Sequence, residues 1–300
     1  MKKTFKLAGA IFICTIIFAV SELKARDYVG LNAGIEYKTH NIYRGMDYYI
    51  GAFPGLFVPV LNYSLYDLGL SFGIRGEITG TWLLGDREET WGVKGTEAFN
   101  SVSFRMNYRF DFLDAIRLYC GLEYYHHPKA EIGSYSLNMS KYDCYLSATF
   151  DQHPLRTRLA VTYTGYMDKK YFRGPDAGGV WGYGSGENKD IYVHLSFSRR
   201  FQLEDNLSCI IDAGVGYYDK EAYDVRIGST KSADISDIEL SARMSNWLDE
   251  IVNVYVSFHY VLVPGTQFKN SVKYNSSTGM YESKEDMHKF FAKFGVSCSI

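Results

Sequence analysis

Seven histidines, five cysteines and one glycine-rich run are the obvious candidates for chemistry in this chain. His126-His127 with nearby Glu131 has the residue types of a metal site. Neighbours in an extended segment point to opposite faces, however, so the two imidazoles diverge and read as loop residues. Gly182-Tyr183-Gly184-Ser185-Gly186 follows no buried strand and opens no helix, so it is a loop rather than a phosphate cradle. His40, His153, His194, His259 and His288 are dispersed, with no Ser-x-x-His spacing or similar compact grouping beside them. Catalytic triads assemble in space rather than along the chain. Even so, nothing in the sequence gathers one, and the expectation is a protein that is not an enzyme. No spacing resembles a zinc site, and no cofactor is implied.

The chemistry that does recur is charge at alternate positions. Arg75, Arg105, Arg109, Arg117, Arg156, Arg158, Arg200 and Arg243 each lie in a segment where apolar and polar residues take turns. Glu36, Glu77, Glu123, Asp143, Asp212, Asp237 and Glu239, with Lys38 and Lys293, share that phase. Period-two alternation is the mark of a strand with one apolar and one polar face. Val102, Phe104, Met106, Tyr108 and Phe110 oppose Ser103, Arg105, Asn107 and Arg109. Ile238, Leu240, Ala242 and Met244 oppose Asp237, Glu239, Ser241 and Arg243. About twelve such segments run from Val29 to Ile300. The second, near Leu56 to Tyr63, is the weakest, because Pro59 interrupts it and leaves its register ambiguous.

The connections fall into two classes that alternate. Tyr66-Asp67, Asp111 to Asp114, Asp151 to Pro154, Glu204 to Asn206 and Trp247 to Glu250 mark tight turns. Long loops lie near 39–52, 79–94, 126–138, 166–188, 218–232 and 264–284. Short turns alternating with long loops are what a barrel threaded through an outer membrane shows, with the turns periplasmic and the loops outside. An even strand count returns both termini to one side. The predicted fold class is therefore all-β: a closed antiparallel transmembrane β-barrel of about 12 strands.

Met1-Lys2-Lys3, the apolar run Leu7 to Val20, and small residues near Ser21 and Ala25 have the layout of a secretory signal peptide. About 14 apolar residues are too few for a helix that needs roughly 20 to cross a bilayer. Cleavage is expected after Ser21 or Ala25, so residues 1–25 are removed and 26–300 form the barrel. Four Lys and one Glu leave with that segment, which takes the formal charge from −2 to −5. An acidic chain gives no reason to expect a nucleic-acid partner. With 26 Tyr, 19 Phe and only six Pro, the composition suits strands bearing aromatic girdles.

A soluble barrel would turn the apolar face inward. Twelve strands, though, enclose a lumen too wide for one row of apolar side chains per strand to fill, whereas about eight do not. The apolar face is therefore assigned to lipid and the charged face to a wet interior. Cys120, Cys144, Cys209 and Cys298 then sit on the lipid face as small apolar side chains. Export would permit a Cys120–Cys144 disulfide, since both are equidistant from the middle of 126–138, but the simpler reading is four free thiols.

With that sidedness, Arg109, Arg117, Arg156, Arg158 and Arg200 fall near the periplasmic ends of the fourth, fifth, seventh and eighth segments (about 102–110, 116–124, 158–164 and 191–198), along one side of the bore. Asp237, Glu239 and Glu36 stand across from them. Rings of one charge select ions in pores, and guanidinium groups pair well with carboxylates and phosphates. The functional expectation is a porin-like channel for passive diffusion of small hydrophilic solutes, with a preference for anionic ones. Charges paired across the bore would instead plug it. A non-conducting surface barrel, either adhesin or structural, is the second reading and an outer-membrane hydrolase the third. The expected partners are outer-membrane lipids, the barrel-assembly machinery and the solutes themselves.

Four stretches carry a family resemblance. Tyr43-Arg44-Gly45, Tyr124-Tyr125-His126-His127-Pro128, Gly214-Val215-Gly216-Tyr217-Tyr218-Asp219 and Ser236-Asp237 resemble, in order along most of the mature chain, the TorF-type porin family of Gram-negative outer membranes. The resemblance implies a porin-like barrel of around twelve strands in the bacterial outer membrane. The last strand, ending at Ile300, looks like the C-terminal assembly signal of such barrels.

Overall fold

Alternation becomes hydrogen-bonded structure in a computed structural model of the chain. It describes residues 29–39, 55–79, 101–113, 115–126, 140–152, 154–167, 189–219, 234–264 and 288–299, with short paired segments at 42–43, 46–47, 93–94, 130–132, 135–137, 171–175, 181–184, 270–275 and 280–285. The expected signal peptide and the terminal Ile300 lie outside the described residues.

Twelve strands form one closed sheet: β1 (Val29–Lys38), β2 (Leu56–Leu65), β3 (Leu70–Thr79), β4 (Ser101–Leu113), β5 (Ile116–His126), β6 (Lys141–Gln152), β7 (Leu155–Tyr166), β8 (Lys189–Gln202), β9 (Leu207–Tyr218), β10 (Asp234–Trp247), β11 (Val252–Leu262) and β12 (His288–Ser299). Each pairs antiparallel with its neighbours in chain order. β1 closes on β12, from Asn32 opposite Ser299 to Lys38 opposite Lys293. The strands are 10 to 14 residues long, against the roughly 9–11 that a tilted strand needs to cross a bilayer. No element among the described residues is helical.

The two faces differ sharply. Phe258 is 61% exposed, while Ser257 beside it is 3% exposed. Phe104, Met106, Leu146 and Phe290 point outward, and Glu123, Asp143, Thr164 and Asp190 are buried within. A protein folded around an apolar centre would show the reverse. This barrel is inside-out.

Pro59 does not displace β2. Its ladder to β3 keeps one register on either side, Phe57 with Ile78 and Val60 with Arg75, and only skips the pairs at Val58 and Pro59. Proline has no N–H to donate, so a gap with no slip is the expected cost. The phase does bring a departure from a uniformly polar interior. Leu56, Val58, Val261, Val263 and Phe291 are buried on the inner face near the long-loop end, as are Tyr192 and Tyr218 on β8 and β9. They form an apolar collar interleaved with charge, Leu56 and Val58 lying opposite Lys38 and Glu36, and Val261 opposite Glu239 and Lys289.

The tight turns lie where acidic and small residues mark them. Residues 66–69 turn β2 into β3. Gly69 has φ +64°, and its carbonyl accepts the Arg109 N–H at 2.7 Å, so a side chain there would meet both strain and backbone. β4 runs further than expected, through Asp111 to Leu113, with a register shift between those two residues. β6 likewise continues to Gln152. Beyond the barrel, five of the six long loops carry paired segments rather than irregular chain alone. The clearest is Asn270–Asn275 against Met280–Glu285, where Val and Tyr lie on either side of a short connection.

The β10–β11 turn carries a pH handle. The Asp249 carboxylate accepts the Ile251 and Val252 N–H groups at 2.8 Å each, which holds its pKa below the ordinary value. A depressed folded-state pKa contributes stability that is present above the unfolded value and is lost as pH falls through the folded one. The turn should therefore loosen only below about pH 4. In Asp249→Asn, amide exchange of Ile251 and Val252 should lose that acid dependence.

Candidate functional site: the inner wall

Interior side chains are fixed by strand phase, so each strand contributes every second residue to the wall. Near the short turns, β4 to β8 supply a row of guanidinium groups. Arg109 pairs with Asp111 at 3.3 Å, while Arg117 and Arg156 share Asp151 at 2.8 and 3.0 Å. Arg158 donates to Ser147 at 3.4 Å and Arg200 to Ser208 at 3.2 Å. These five cations stand among two carboxylates, Asp111 and Asp151. The excess is positive.

Further up the same wall the charges are matched. Arg75 pairs with Glu77 at 2.7 Å, and Arg105 with Glu123 at 3.3 Å. Ser103 adds a bond to Glu123 at 2.8 Å, and Thr164 donates to Asp143 at 2.6 Å. Each of these ion pairs joins residues on one strand or on adjacent strands. They run along the wall rather than across the bore, so they do not form the transverse plug that the sequence left open.

The other side of the barrel is built differently. Tyr255 donates to Glu36 at 2.7 Å, reaching over the intervening strand at Gly295. A Cβ on Gly295 would lie 2.3 Å from the Tyr255 ring, so only glycine admits that reach. Gly295→Ala should release the Tyr255 hydroxyl and cost about 1–3 kcal/mol by overpacking, read as a lower urea midpoint. The Arg243 guanidinium stacks 3.8 Å over the Tyr255 ring. Arg243, Glu36, Asn32, Asn253 and Tyr255 line a cavity of about 330 Å³. Just above, His259 lies between Glu239 at 2.7 Å and Ser257 at 2.9 Å.

Asp237 occupies a β-bulge. Gly216 pairs with Asp237 and Tyr217 with Ile235, leaving Ser236 as the extra residue. Ser236 and Asp237 are both buried, and the carboxylate accepts from the Tyr192 hydroxyl at 3.2 Å and from Ser236. Two of the stretches quoted for the family resemblance thus meet at one node. Asp237 and Glu36 stand toward the long-loop end, however, whereas Arg109, Arg117, Arg156 and Arg200 stand toward the short turns. The acids expected to face the arginine row are therefore at another depth. Sequence places residues around a barrel by strand order, but depth depends on register and on how far each strand runs.

Comparison with known proteins bears on the scaffold. No family model matches the chain, and no curated protein matches it. Solved structures do. The translocator domain of the autotransporter NalP from Neisseria meningitidis aligns at TM-score 0.51 and 11% identity, over 98% of this chain and 97% of that one. The NanC porin aligns at TM-score 0.48 and 12% identity, over 89% and 98%. An outer membrane channel, COG4313 of Pseudomonas putida F1, aligns at TM-score 0.45 and 11% identity, over 93% and 98%. What is shared is the fold.

The four free thiols expected from the sequence are found, while the facing arrangement considered for two of them is not. Cys120, Cys144, Cys209 and Cys298 are free. Cys120 lies opposite Leu146 and Cys144 opposite Leu122, so the first two are diagonal neighbours rather than a facing pair. The contact of Ser257 with His259 was missed. A search for Ser-x-x-His passes over Ser-x-His, although two residues is the spacing that puts both side chains on one face of a strand. The third member, Glu239, comes from the neighbouring strand and leaves no local signal.

Proposed function

We propose that the chain is a porin-like channel of the bacterial outer membrane, delivered by the residue 1–25 signal and inserted by the barrel-assembly machinery. It passes small hydrophilic solutes by diffusion and prefers anionic ones. One observation carries the reading: a twelve-strand closed barrel with apolar side chains outside and charged ones inside. Lipid is the solvent that rewards that inversion, and the polar wall suits water and solute. The anionic preference rests on the five arginines near the short turns, outnumbering Asp111 and Asp151. Membership of the TorF-type porin family is part of the same proposal and rests on the four short stretches named above.

A non-conducting surface barrel is the second reading. The apolar collar of Leu56, Val58, Val261, Val263 and Phe291, together with the paired segments beyond the sheet, favours it. Planar-bilayer recording separates the two. Discrete conductance steps with a reversal potential on the anion side in a KCl gradient support the channel. Silence from correctly folded protein supports the surface barrel.

A further inference from the structure

We propose that Ser257, His259 and Glu239 form an acyl-transfer site inside the lumen, acting on esters of small hydrophilic solutes. Ser257 Oγ lies 2.9 Å from His259 Nε2, and His259 Nδ1 lies 2.7 Å from Glu239 Oε1. With the ring proton on Nδ1 directed at the carboxylate, Nε2 is free to accept the serine hydroxyl. That is the bonding order of a nucleophile, its base and the acid that orients the base. The imidazole is held in place from a third strand, stacked on Phe291 at 4.4 Å with only 8° between the planes.

Strand register supplies the electrostatics. Arg243 and Lys293 are the residues directly opposite Ser257 on β10 and β12, so two cations flank the hydroxyl on the same face. The Arg243 Nε is buried and has no hydrogen-bond partner among the described residues. A donor left open beside a nucleophile is suited to an oxyanion, which needs charge stabilisation only as it forms. Arg243 also lines the 330 Å³ cavity, which reaches Asn253 and Tyr255, the inner-face residues next to Ser257 on β11, but not Ser257 itself. Ser257 faces the bore and not the lipid, so a phospholipid is the wrong substrate and a soluble ester the right one.

The step is ordinary acyl transfer. Ser257 Oγ attacks the ester carbonyl carbon while His259 Nε2 takes the hydroxyl proton. The carbon–oxygen bond to the alcohol breaks, and His259 returns the proton to the departing alcohol. Water, deprotonated by His259, then attacks the acyl-serine; the bond to Ser257 Oγ breaks, His259 returns the proton to that oxygen, and the carboxylic acid is released. Nothing is oxidised or reduced. Glu239 is a positioning residue that acts through His259.

The test uses the full-length folded barrel in detergent, so it does not depend on conductance. A fluorophosphonate probe should add one label per chain at Ser257, the serine oxygen displacing fluoride, and the barrel should hydrolyse p-nitrophenyl acetate. Ser257→Ala should remove the label, and His259→Gln should slow labelling by about 100-fold or more. Glu239→Gln should slow it at least tenfold and shift its pH profile, which a loss of packing alone would not do. Heat-modifiable gel migration reports folding of each form. Folded wild-type barrel that takes no label, or equal labelling in Ser257→Ala, overturns the proposal whether or not the barrel conducts.

Discussion

Met106→Arg should be among the most destabilising single substitutions in this chain. Met106 is near the middle of β4, 49% exposed on the outer face. A guanidinium at the bilayer midplane costs roughly 2–4 kcal/mol of barrel stability, and near an interface roughly 0–1. Phe112→Arg is the control, on the same strand but at the bulge beside the turn, where the residue is 63% exposed. Unfolding in urea with lipid vesicles should show a loss of roughly 2–4 kcal/mol for the first and little change for the second. Equal small effects would mean that depth in a membrane does not matter to these positions, and the lipid assignment would fail.

Charge reversal in the arginine row should have the largest functional effect. Arg156→Glu with Arg158→Glu leaves three guanidiniums, of Arg109, Arg117 and Arg200, facing four carboxylates, the two introduced plus Asp111 and Asp151. Asp151 keeps Arg117 as a partner at 2.8 Å, so the wall is not left with an isolated buried charge. Clefts with one sign of charge concentrate counter-ions by factors of ten or more. The anion-to-cation permeability ratio should fall by roughly tenfold, and the reversal potential in a KCl gradient should change sign. An unchanged reversal potential would show that selectivity is set elsewhere, with the apolar collar as the first alternative.

Much of this was legible because a strand announces itself every second residue. β4, with Phe104, Met106 and Tyr108 outside Ser103, Arg105 and Asn107, folds as its pattern reads. Pro59 was the one local obstacle, and it removes two ladder pairs without shifting the register. The inner collar was not legible, because Leu56, Val58, Val261 and Val263 are apolar at positions where the pattern leads one to expect polarity. Depth was legible only in part. The sequence places Arg156 near a turn, but that Asp237, across the bore, lies at a different depth near the loop end comes from the paired registers. The Ser257–His259–Glu239 cluster combines both difficulties, with two residues on one strand and the third reached diagonally from the next.

The most direct test of sidedness is a scan of single cysteines along β4, from Val102 to Phe110, in a background without native cysteines. Each is labelled with an environment-sensitive fluorophore after the barrel is folded into vesicles. Nitroxide lipids should quench labels at Val102, Phe104, Met106, Tyr108 and Phe110, and a water-soluble quencher should act on those at the positions between. Lipid quenching that ignores this alternation, or that follows the charged positions, would contradict the account.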